Sequence, residues 1–269
     1  IVDGGMKHKG CWAQGWRGAS LAHWRRVWHG AWRRPGRHWP GQCVLCHAWP
    51  SAPLCETCIG LFATPRQRCP CCALPWPGAS FGPAVCLQCV RHPPVLDRCV
   101  AAVDYAWPWP GLLAQFKFQA RTGWAHPLAW LMLGADGATE LLHEADWVVP
   151  MPLAPERLAE RGYNQAALLA RALCQAQGID RLLPQGLIRG RHIPAQSGLG
   201  RTERLQNLHE AFMPDPRMAD ALRGRHILLI DDVCTTGASL EAAARPLRQA
   251  GALRVSALVL ARTGRPDGD

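Results

Sequence analysis

The sequence predicts an α/β fold in which a parallel sheet with flanking helices follows a small metal-stabilised domain. The apolar residues 227–230 read as a strand buried on both faces, and a short polar turn and a helical pattern follow it. Two further apolar segments, 147–149 and 255–261, alternate with helical patterns, as is typical of parallel sheets. Four C-x-x-C pairs within residues 42–92 indicate metal binding ahead of the sheet.

The main candidate site follows this central strand. Asp231 and Asp232 come at its carboxyl end, and the small residues 234–239 (C-T-T-G-A-S) form a turn before the helix at 240–250. The hydroxyls of the turn, the backbone near Gly237 and the positive end of the helix suit a phosphate monoester. The two carboxylates would repel a phosphate, but they suit hydrogen bonds from two neighbouring sugar hydroxyls. A phosphate at one end and a diol at the other describe a ribose 5-phosphate.

Two other interpretations fit a hydrophobic strand that ends in two aspartates. The acidic strand of a P-loop NTPase requires the motif G-x-x-x-x-G-K-[ST], which the sequence does not contain. The chain has only three lysines, which are Lys7, Lys9 and Lys117. An ordinary buried strand with a polar turn does not require acids, hydroxyls, a glycine and a helix in this order. The ligand site is therefore the preferred interpretation.

Length and charge limit the other functional classes. A chain of 269 residues suits one sizeable domain and a smaller one. The net charge is +10, but residues 1–40 alone contribute +7, so the remainder is only mildly basic. No run of 18 apolar residues occurs, and we expect no membrane span.

The first 41 residues form an extension with an unusual composition of Trp, Arg, His and Gly. Trp24, Trp28 and Trp32 recur at helical spacing among arginines, which would suit stacking on single-stranded nucleic acid. A secretory signal requires an apolar core of about 7–15 residues, which is missing here. The preferred expectation for 1–41 is disorder, or a spurious extension translated from GC-rich DNA upstream of the true start.

The four C-x-x-C pairs predict two zinc sites in a double zinc ribbon over residues 42–92. Each pair offers two thiolates, and two pairs complete a tetrahedral site. Joining consecutive pairs is the simplest arrangement, although a cross-braced one, first with third and second with fourth, is also compatible. Disulfides are the alternative, but without a secretory signal we expect a reducing, cytoplasmic location. The expected ligands are Cys43, Cys46, Cys55, Cys58, Cys69, Cys72, Cys86 and Cys89.

These zinc sites are expected to be structural. A site closed by four cysteines leaves no open position for catalysis. About fifty residues with few large apolar side chains cannot fold on a core alone, so the metal would supply the folding energy. Cys71 adjoins Cys72 and is an alternative ligand.

After a linker at 93–97, the segment up to residue 133 contributes one candidate residue. A strand is predicted over 99–105 and a helix over 111–120, and this helix contains Lys117. Lys117 is either a solvated helix charge or a cation that reaches the active site.

Three later segments contain further candidates. The loop 151–153 follows a parallel strand and therefore lies at the ligand edge of the sheet. The segment R-G-Y-N-Q at 161–165 is either a site loop or a helix-capping turn. The arginine-rich and glycine-rich segment 189–207 is either a solvated surface loop or a mobile lid whose arginines close over a polyanion, and the lid is preferred.

The order of these motifs resembles the ComF family of competence-associated phosphoribosyltransferases. The segment I-L-L-I-D-D-V-C-T-T-G resembles the signature with which type I phosphoribosyltransferases bind phosphoribosyl pyrophosphate (PRPP). R-G-Y-N-Q and the set Gln196, Arg204 and Asn207 narrow the resemblance to this family, although Tyr163 and Ile193 stand where Phe and often Thr are usual. The resemblance covers residues 42–262. It implies a double zinc ribbon before a type I phosphoribosyltransferase domain at 97–262, with a tail at 263–269.

The resemblance implies a glycosyl transfer that depends on Mg²⁺ and PRPP. Attack at the anomeric carbon would displace pyrophosphate, and Mg²⁺ would bridge diphosphate and ribose oxygens. The implied catalytic residues are Asp231, Asp232, Arg161 and Arg204. The implied PRPP-binding residues are these two aspartates with Val233, Cys234, Thr235, Thr236, Gly237, Ala238, Ser239, Met151, Pro152, Leu153, Arg161, Asn164, Gln165, Lys117, Gln196 and Arg201.

The resemblance also implies a link to natural competence. DNA uptake or processing in a bacterial cytoplasm would be the process, with single-stranded DNA or a protein of the competence machinery as partner. An alternative of a different class is a catalytically silent adaptor, which senses PRPP and binds nucleic acid or a protein through its zinc ribbons.

Overall fold

The computed structural model describes residues 41–76, 85–190 and 212–264. The cysteine-rich segment comes first and has little regular structure. Its two short helices are α1 (Glu56–Phe62) and α2 (Leu87–Arg91), and each begins directly after a cysteine. Isolated antiparallel bridges join Gly41 to Ser51 and Arg68 to Pro75.

The α/β domain is built around a parallel sheet, as the sequence predicts. Four of its strands lie in the order β1-β6-β5-β2, all parallel, and β3 and β4 form a separate antiparallel pair. The strands are β1 (Arg98–Asp104), β2 (Trp147–Pro150), β3 (Leu187–Arg189), β4 (Phe212–Pro214), β5 (His226–Cys234) and β6 (Arg254–Arg262).

Helices flank this sheet on both faces. Two 3₁₀ turns accompany them, Thr122–Trp124 and Pro216–Met218. The helices are α3 (Trp109–Phe118), α4 (Ala125–Leu133), α5 (Ala138–Glu144), α6 (Pro155–Arg161), α7 (Gln165–Gln177), α8 (Ala219–Leu222) and α9 (Ala238–Gln249). Within the part of the chain that the structure describes, no helix has both the length and the apolar character that a membrane crossing requires.

The central strand β5 is buried on both faces, as predicted. Leu228 and Ile230 belong to the apolar cluster that contains α3, α4 and α7, whereas Ile227 and Leu229 pack with α9 on the other face. All four side chains are fully buried, and burial of each contributes about 1.5–3 kcal/mol. This packing gives the residues that follow β5 a rigid base.

β5 is longer than predicted. Its pairing with β6 continues beyond Ile230 to Cys234, which lies opposite Arg262. Asp231 and Asp232 therefore belong to the last part of the strand rather than to the loop after it. The sequence does not indicate this continuation, because two acidic residues interrupt the apolar pattern. The strand continues nevertheless, since its hydrogen bonds to β6 are made by the backbone.

The cysteine-rich segment packs on the α/β domain. Leu54 and Ile59 lie in the same apolar cluster as α3 and α4, and the indole N–H of Trp109 donates to the carbonyl of Phe62 at 3.0 Å. The predicted linker is also tied down, since the Asp97 carboxylate accepts hydrogen bonds from the backbone of β6 and from α9. The division into domains at residues 92 and 97 stays a prediction.

Candidate functional site

Two predicted ligand-binding segments meet at one edge of the sheet. β5 and β2 are neighbouring parallel strands, so the acidic pair and the loop 151–153 lie at adjacent carboxyl ends. The N–H of Met151 donates to the carbonyl of Ile230 at 2.9 Å, which places the start of this loop beside Asp231. Ligand sites of open α/β sheets form at this edge.

Lys117 reaches the acidic pair from helix α3. Its Nζ lies 2.6 Å from Asp232 Oδ2, and the side chain of Asp232 is only 5% exposed. No conventional hydrogen bond to this oxygen is found among the described residues, so the lysine ammonium is its charge partner. Lys117 is thus a cation at the sheet edge and not a solvated helix charge.

The acidic pair is electrostatically strained. Burial raises the pKa of Asp231 well above its ordinary range, and the adjacent Asp232 carboxylate raises it further. The Asp232 N–H, at 2.8 Å from Asp231 Oδ1, and the Lys117 charge both oppose this shift. Sugar hydroxyls or a divalent cation would relieve the repulsion between the two carboxylates.

Arg189, the first residue of the predicted lid segment 189–207, lies close enough to Asp231 to interact with it electrostatically. Burial lowers the pKa of Arg189, a nearby Arg157 lowers it further, and Asp231 raises it. Arg189 ends β3, and its guanidinium stacks on the Phe212 ring of β4 at 5.2 Å. The sequence analysis assigned Arg189 to the lid segment 189–207, whereas the structure places it in β3.

The turn after β5 presents donors to solvent. Gly237 has φ 87° at the N-terminus of the 12-residue helix α9, a backbone conformation that favours glycine. Thr236 Oγ1 accepts a hydrogen bond from the N–H of Ala238 at 3.2 Å. Thr235, Thr236 and Ser239 are exposed. With the positive end of α9, this arrangement suits an incoming phosphate.

Two more of the predicted site residues, Val233 and Cys234, follow the acidic pair at the end of β5. Val233 is half-buried, and Cys234 is buried. The sulfur of Cys234 lies 3.9 Å from the position that a β-carbon on Gly237 would occupy. Cys234 therefore supports the turn from inside the protein.

The R-G-Y-N-Q segment is a capped turn between α6 and α7. Arg161 ends α6, and Gly162 follows with φ 78°, while the Asn164 side chain caps α7 by accepting from the N–H of Ala166 at 2.9 Å. Asn164 Nδ2 also donates to the carbonyl of Met151 at 2.9 Å. The segment is therefore a capping turn that positions the loop 151–153.

Other side chains of this turn join α3 to the site. The Tyr163 hydroxyl donates to the carbonyl of Phe116, one residue before Lys117. Arg161 donates to the side chain of the buried Gln165 and lies over the Phe118 ring at 5.2 Å. Gln196, Arg201 and Arg204 of the predicted lid lie outside the described residues.

The eight cysteines of the C-x-x-C pairs form two groups of four, and consecutive pairs are joined. Within each group the sulfur atoms lie within 4.8 Å of one another. A tetrahedral zinc site with bonds of about 2.3 Å separates its sulfurs by about 3.8 Å. The separations of 3.8 Å for Cys43 and Cys58, 3.6 Å for Cys46 and Cys55, and 3.7 Å for Cys72 and Cys86 fit this geometry.

Comparison with known proteins identifies the family. A family model described as a phosphoribosyl transferase domain matches residues 190–268. The chain is 32% identical over 240 residues to DNA utilization protein YhgH of Escherichia coli (strain K12), and the matched region covers 83% of this chain and 98% of that protein. It is also 32% identical over 181 residues to Competence protein F of Haemophilus influenzae, across 66% of this chain and 78% of that protein. The chain belongs to the ComF family.

A third ComF relative is Competence protein ComFC of Bacillus subtilis. It is 43% identical over 117 residues, which are 43% of this chain and 44% of that protein. The resemblance inferred from the motifs is thereby confirmed, and so is the phosphoribosyltransferase domain. The matched region 190–268 contains the acidic pair and the turn, whereas Lys117 and the loop 151–153 reach the site from outside it.

Proposed function

We propose that this ComF protein binds Mg-PRPP at the edge formed by β5 and β2 and transfers the phosphoribosyl group to an acceptor. The observation that carries the proposal is the ion pair between Lys117 and the buried Asp232. Asp232 lies at the end of β5, shortly before the exposed turn that contains Gly237. Carboxylates with a fixed cation beside a phosphate-type turn suit a ligand that has hydroxyls and phosphates on one sugar.

Each part of the site has a role in this proposal. Asp231 and Asp232 accept hydrogen bonds from the two ribose hydroxyls, and Lys117 holds the Asp232 carboxylate in place through the ion pair at 2.6 Å. Residues 235–239 bind the 5-phosphate through hydroxyls and backbone N–H groups. The backbone of 151–153, held by Asn164, receives the pyrophosphate.

The proposed reaction exchanges one bond for another at the anomeric carbon. The bond to the pyrophosphate oxygen breaks, its electron pair leaves with pyrophosphate, and the acceptor supplies the pair for the new bond. The protein contributes by holding the ribose and by stabilising charge on the leaving group, for which Arg161 and Arg204 are the proposed partners. Magnesium would supply positive charge at the diphosphate, and the paired carboxylates are the oxygen ligands that it prefers.

Zinc is the proposed occupant of both tetracysteine groups. The sulfur separations support it, and a closed set of four thiolates suits a structural ion. Zinc thiolates require reduced cysteines, so we place the protein in a bacterial cytoplasm. The names of its relatives support a role in competence or DNA utilisation.

A second candidate function is a PRPP-dependent adaptor without turnover. Exposed aromatic residues on the cysteine-rich side favour it: Trp107 is 75% exposed and packs edge-on against Phe62, and Trp49 is 65% exposed. Such rings suit stacking on single-stranded nucleic acid or contact with a protein partner.

Calorimetry with Mg-PRPP and an assay of pyrophosphate release test the proposal. The wild-type chain is expected to bind Mg-PRPP, and Asp231→Asn with Asp232→Asn to abolish binding. Asp220→Asn, an exposed acid on α8, is the matched control and is expected to bind normally. Binding without pyrophosphate release for any base, nucleotide or single-stranded DNA supports the adaptor. Unchanged affinity in the double variant refutes the site.

A further inference from the structure

Arg262 contacts both the second tetracysteine group and the turn 235–239 that follows β5. The second tetracysteine group consists of Cys69, Cys72, Cys86 and Cys89. Arg262 ends β6 and is only 5% exposed. Its Nε donates to the carbonyl of Cys72 at 2.9 Å. Its Nη1 donates to the carbonyls of Cys234 and Thr235. One buried guanidinium therefore contacts both the backbone of Cys72, a predicted zinc ligand, and the start of the turn.

These contacts orient the turn. Thr263 contributes two more hydrogen bonds, from its N–H to the Cys234 carbonyl and from its hydroxyl to the Thr235 carbonyl, both at 3.1 Å. In a planar trans peptide the carbonyl and the following N–H point in opposite directions. Holding the Thr235 carbonyl toward Arg262 therefore directs the Thr236 N–H away from Arg262. Arg262 thus preorganises a donor of the turn.

The charge of Arg262 suits its two neighbours. Among the described residues no carboxylate forms an ion pair with it. A divalent ion with four thiolates has a net charge of about −2, and the proposed sugar phosphate is also an anion. A buried cation between two anions stabilises both, and it is costly to bury when either is missing.

We propose that Arg262 is a positioning residue that couples metal binding by Cys69, Cys72, Cys86 and Cys89 to anion binding by the turn 235–239. This inference rests on the proposed function, since it assumes a sugar phosphate at the turn. Coupling between two binding sites is reciprocal. Metal in the second group strengthens sugar-phosphate binding, and the sugar phosphate strengthens metal binding by the same factor. With an unchanged rate of metal association, the sugar phosphate also slows metal release.

Zinc release from the full-length, zinc-loaded protein tests the coupling. A chromogenic chelator follows release with and without ribose 5-phosphate or Mg-PRPP. In the wild type, the ligand is expected to slow one of two release phases by roughly tenfold and to leave the other, from Cys43, Cys46, Cys55 and Cys58, unchanged. Calorimetry on the same samples gives ligand affinity.

Three variants separate coupling from general stability. Arg262→Met is expected to abolish the slowing and to weaken ligand binding about tenfold. Arg262→Lys keeps the charge but lacks the guanidinium fork, so partial rescue is expected. Arg254→Met is the matched control, because Arg254 lies at the other end of β6, where its guanidinium forms an exposed ion pair with Glu144 at 3.7 Å. It is expected to behave as the wild type.

A wild-type pattern of affinity and ligand-slowed zinc release in Arg262→Met overturns the inference. Hydrogen exchange on the wild-type chain gives an independent readout if this variant does not fold. Partial removal of zinc from the second group is expected to speed exchange of amides 235–239, and unchanged exchange contradicts the coupling. If the wild type binds neither ligand, the proposed function fails, and hydrogen exchange still decides whether metal and turn are coupled.

Discussion

The ammonium of Lys117 lies 2.6 Å from Asp232 Oδ2 and joins helix α3 to the end of strand β5. The two residues are far apart in the sequence, and Lys117 is the only lysine after residue 9. The contact makes the acidic pair part of a site with mixed charge. Several expected outcomes depend on it.

Lys117→Met is expected to destabilise the fold and to impair ligand binding. It leaves the Asp232 carboxylate buried without its cation, and removal of one partner of a buried ion pair costs roughly 3 kcal/mol. Urea unfolding measures the loss, and calorimetry with Mg-PRPP is expected to show at least tenfold weaker binding. Arg121→Met removes an exposed cation after the same helix and serves as the control. Equal stability of the Lys117→Met variant and the wild type would show that the ion pair contributes nothing.

Asp231→Asn is expected to stabilise the free protein while it destroys the ligand site. The folded protein raises the pKa of Asp231 because of burial and the neighbouring Asp232. The folded state therefore binds this proton more tightly than the unfolded state does, and stability falls as the pH rises from about 4 through the folded pKa. The asparagine cannot ionise and is free of this loss.

Unfolding experiments at pH 4 and pH 7 check this outcome. The variant and the wild type are expected to differ little at pH 4 and to diverge at pH 7, where the variant is more stable. A wild type that is at least as stable as the variant at pH 7 would contradict the assignment of strain to Asp231.

Asn164 has two functions that substitutions can separate. Asn164→Ala removes the cap of α7, at a cost of about 1 kcal/mol, together with the hydrogen bond to Met151. Asn164→Asp keeps the capping oxygen but lacks the Nδ2 donor to the Met151 carbonyl. Because the capping oxygen remains, the aspartate variant is expected to lose less stability than the alanine variant, although its carboxylate faces the Met151 carbonyl without a donor. Both variants are expected to lose affinity for Mg-PRPP. Thermal unfolding and calorimetry measure the two effects, and normal affinity in both variants would exclude a role for this contact.

Metal analysis distinguishes the two arrangements of cysteine pairs. The wild type is expected to contain two zinc ions per chain, and Cys43→Ser or Cys69→Ser alone to lose one. Since the structure joins consecutive pairs, the double variant is expected to lose both ions. A cross-braced arrangement would put Cys43 and Cys69 in the same site, and the double variant would then retain one.

The sequence predicts those parts of the fold that depend on local patterns. Each of these patterns predicts its structure from about a dozen neighbouring residues: the apolar run 227–230, the turn after it and the C-x-x-C spacing. The helix α6 was missed because its seven residues contain no buried side chain and therefore no apolar stripe. Its Pro155 and Gly162 are the signals that mark its ends.

Contacts over long distances could not be predicted. Arg262 donates to a carbonyl 190 residues away, and a single arginine at a strand end has no pattern that points to a partner. The position of Lys117 stayed ambiguous for the same reason, since only the packing of α3 determines where its side chain lies. The role of Asn164 was assigned to ligand binding, whereas both polar ends of its amide already have partners in the protein.

The indole of Trp109 is bonded to the backbone of Phe62, and Leu113 shares an apolar cluster with Leu54. A shortened chain that starts at residue 97 would consequently expose to water a patch that the native protein covers. Isolation of the α/β domain alone therefore requires polar substitutions in that patch. Without them, removal of the cysteine-rich segment is expected to cause precipitation.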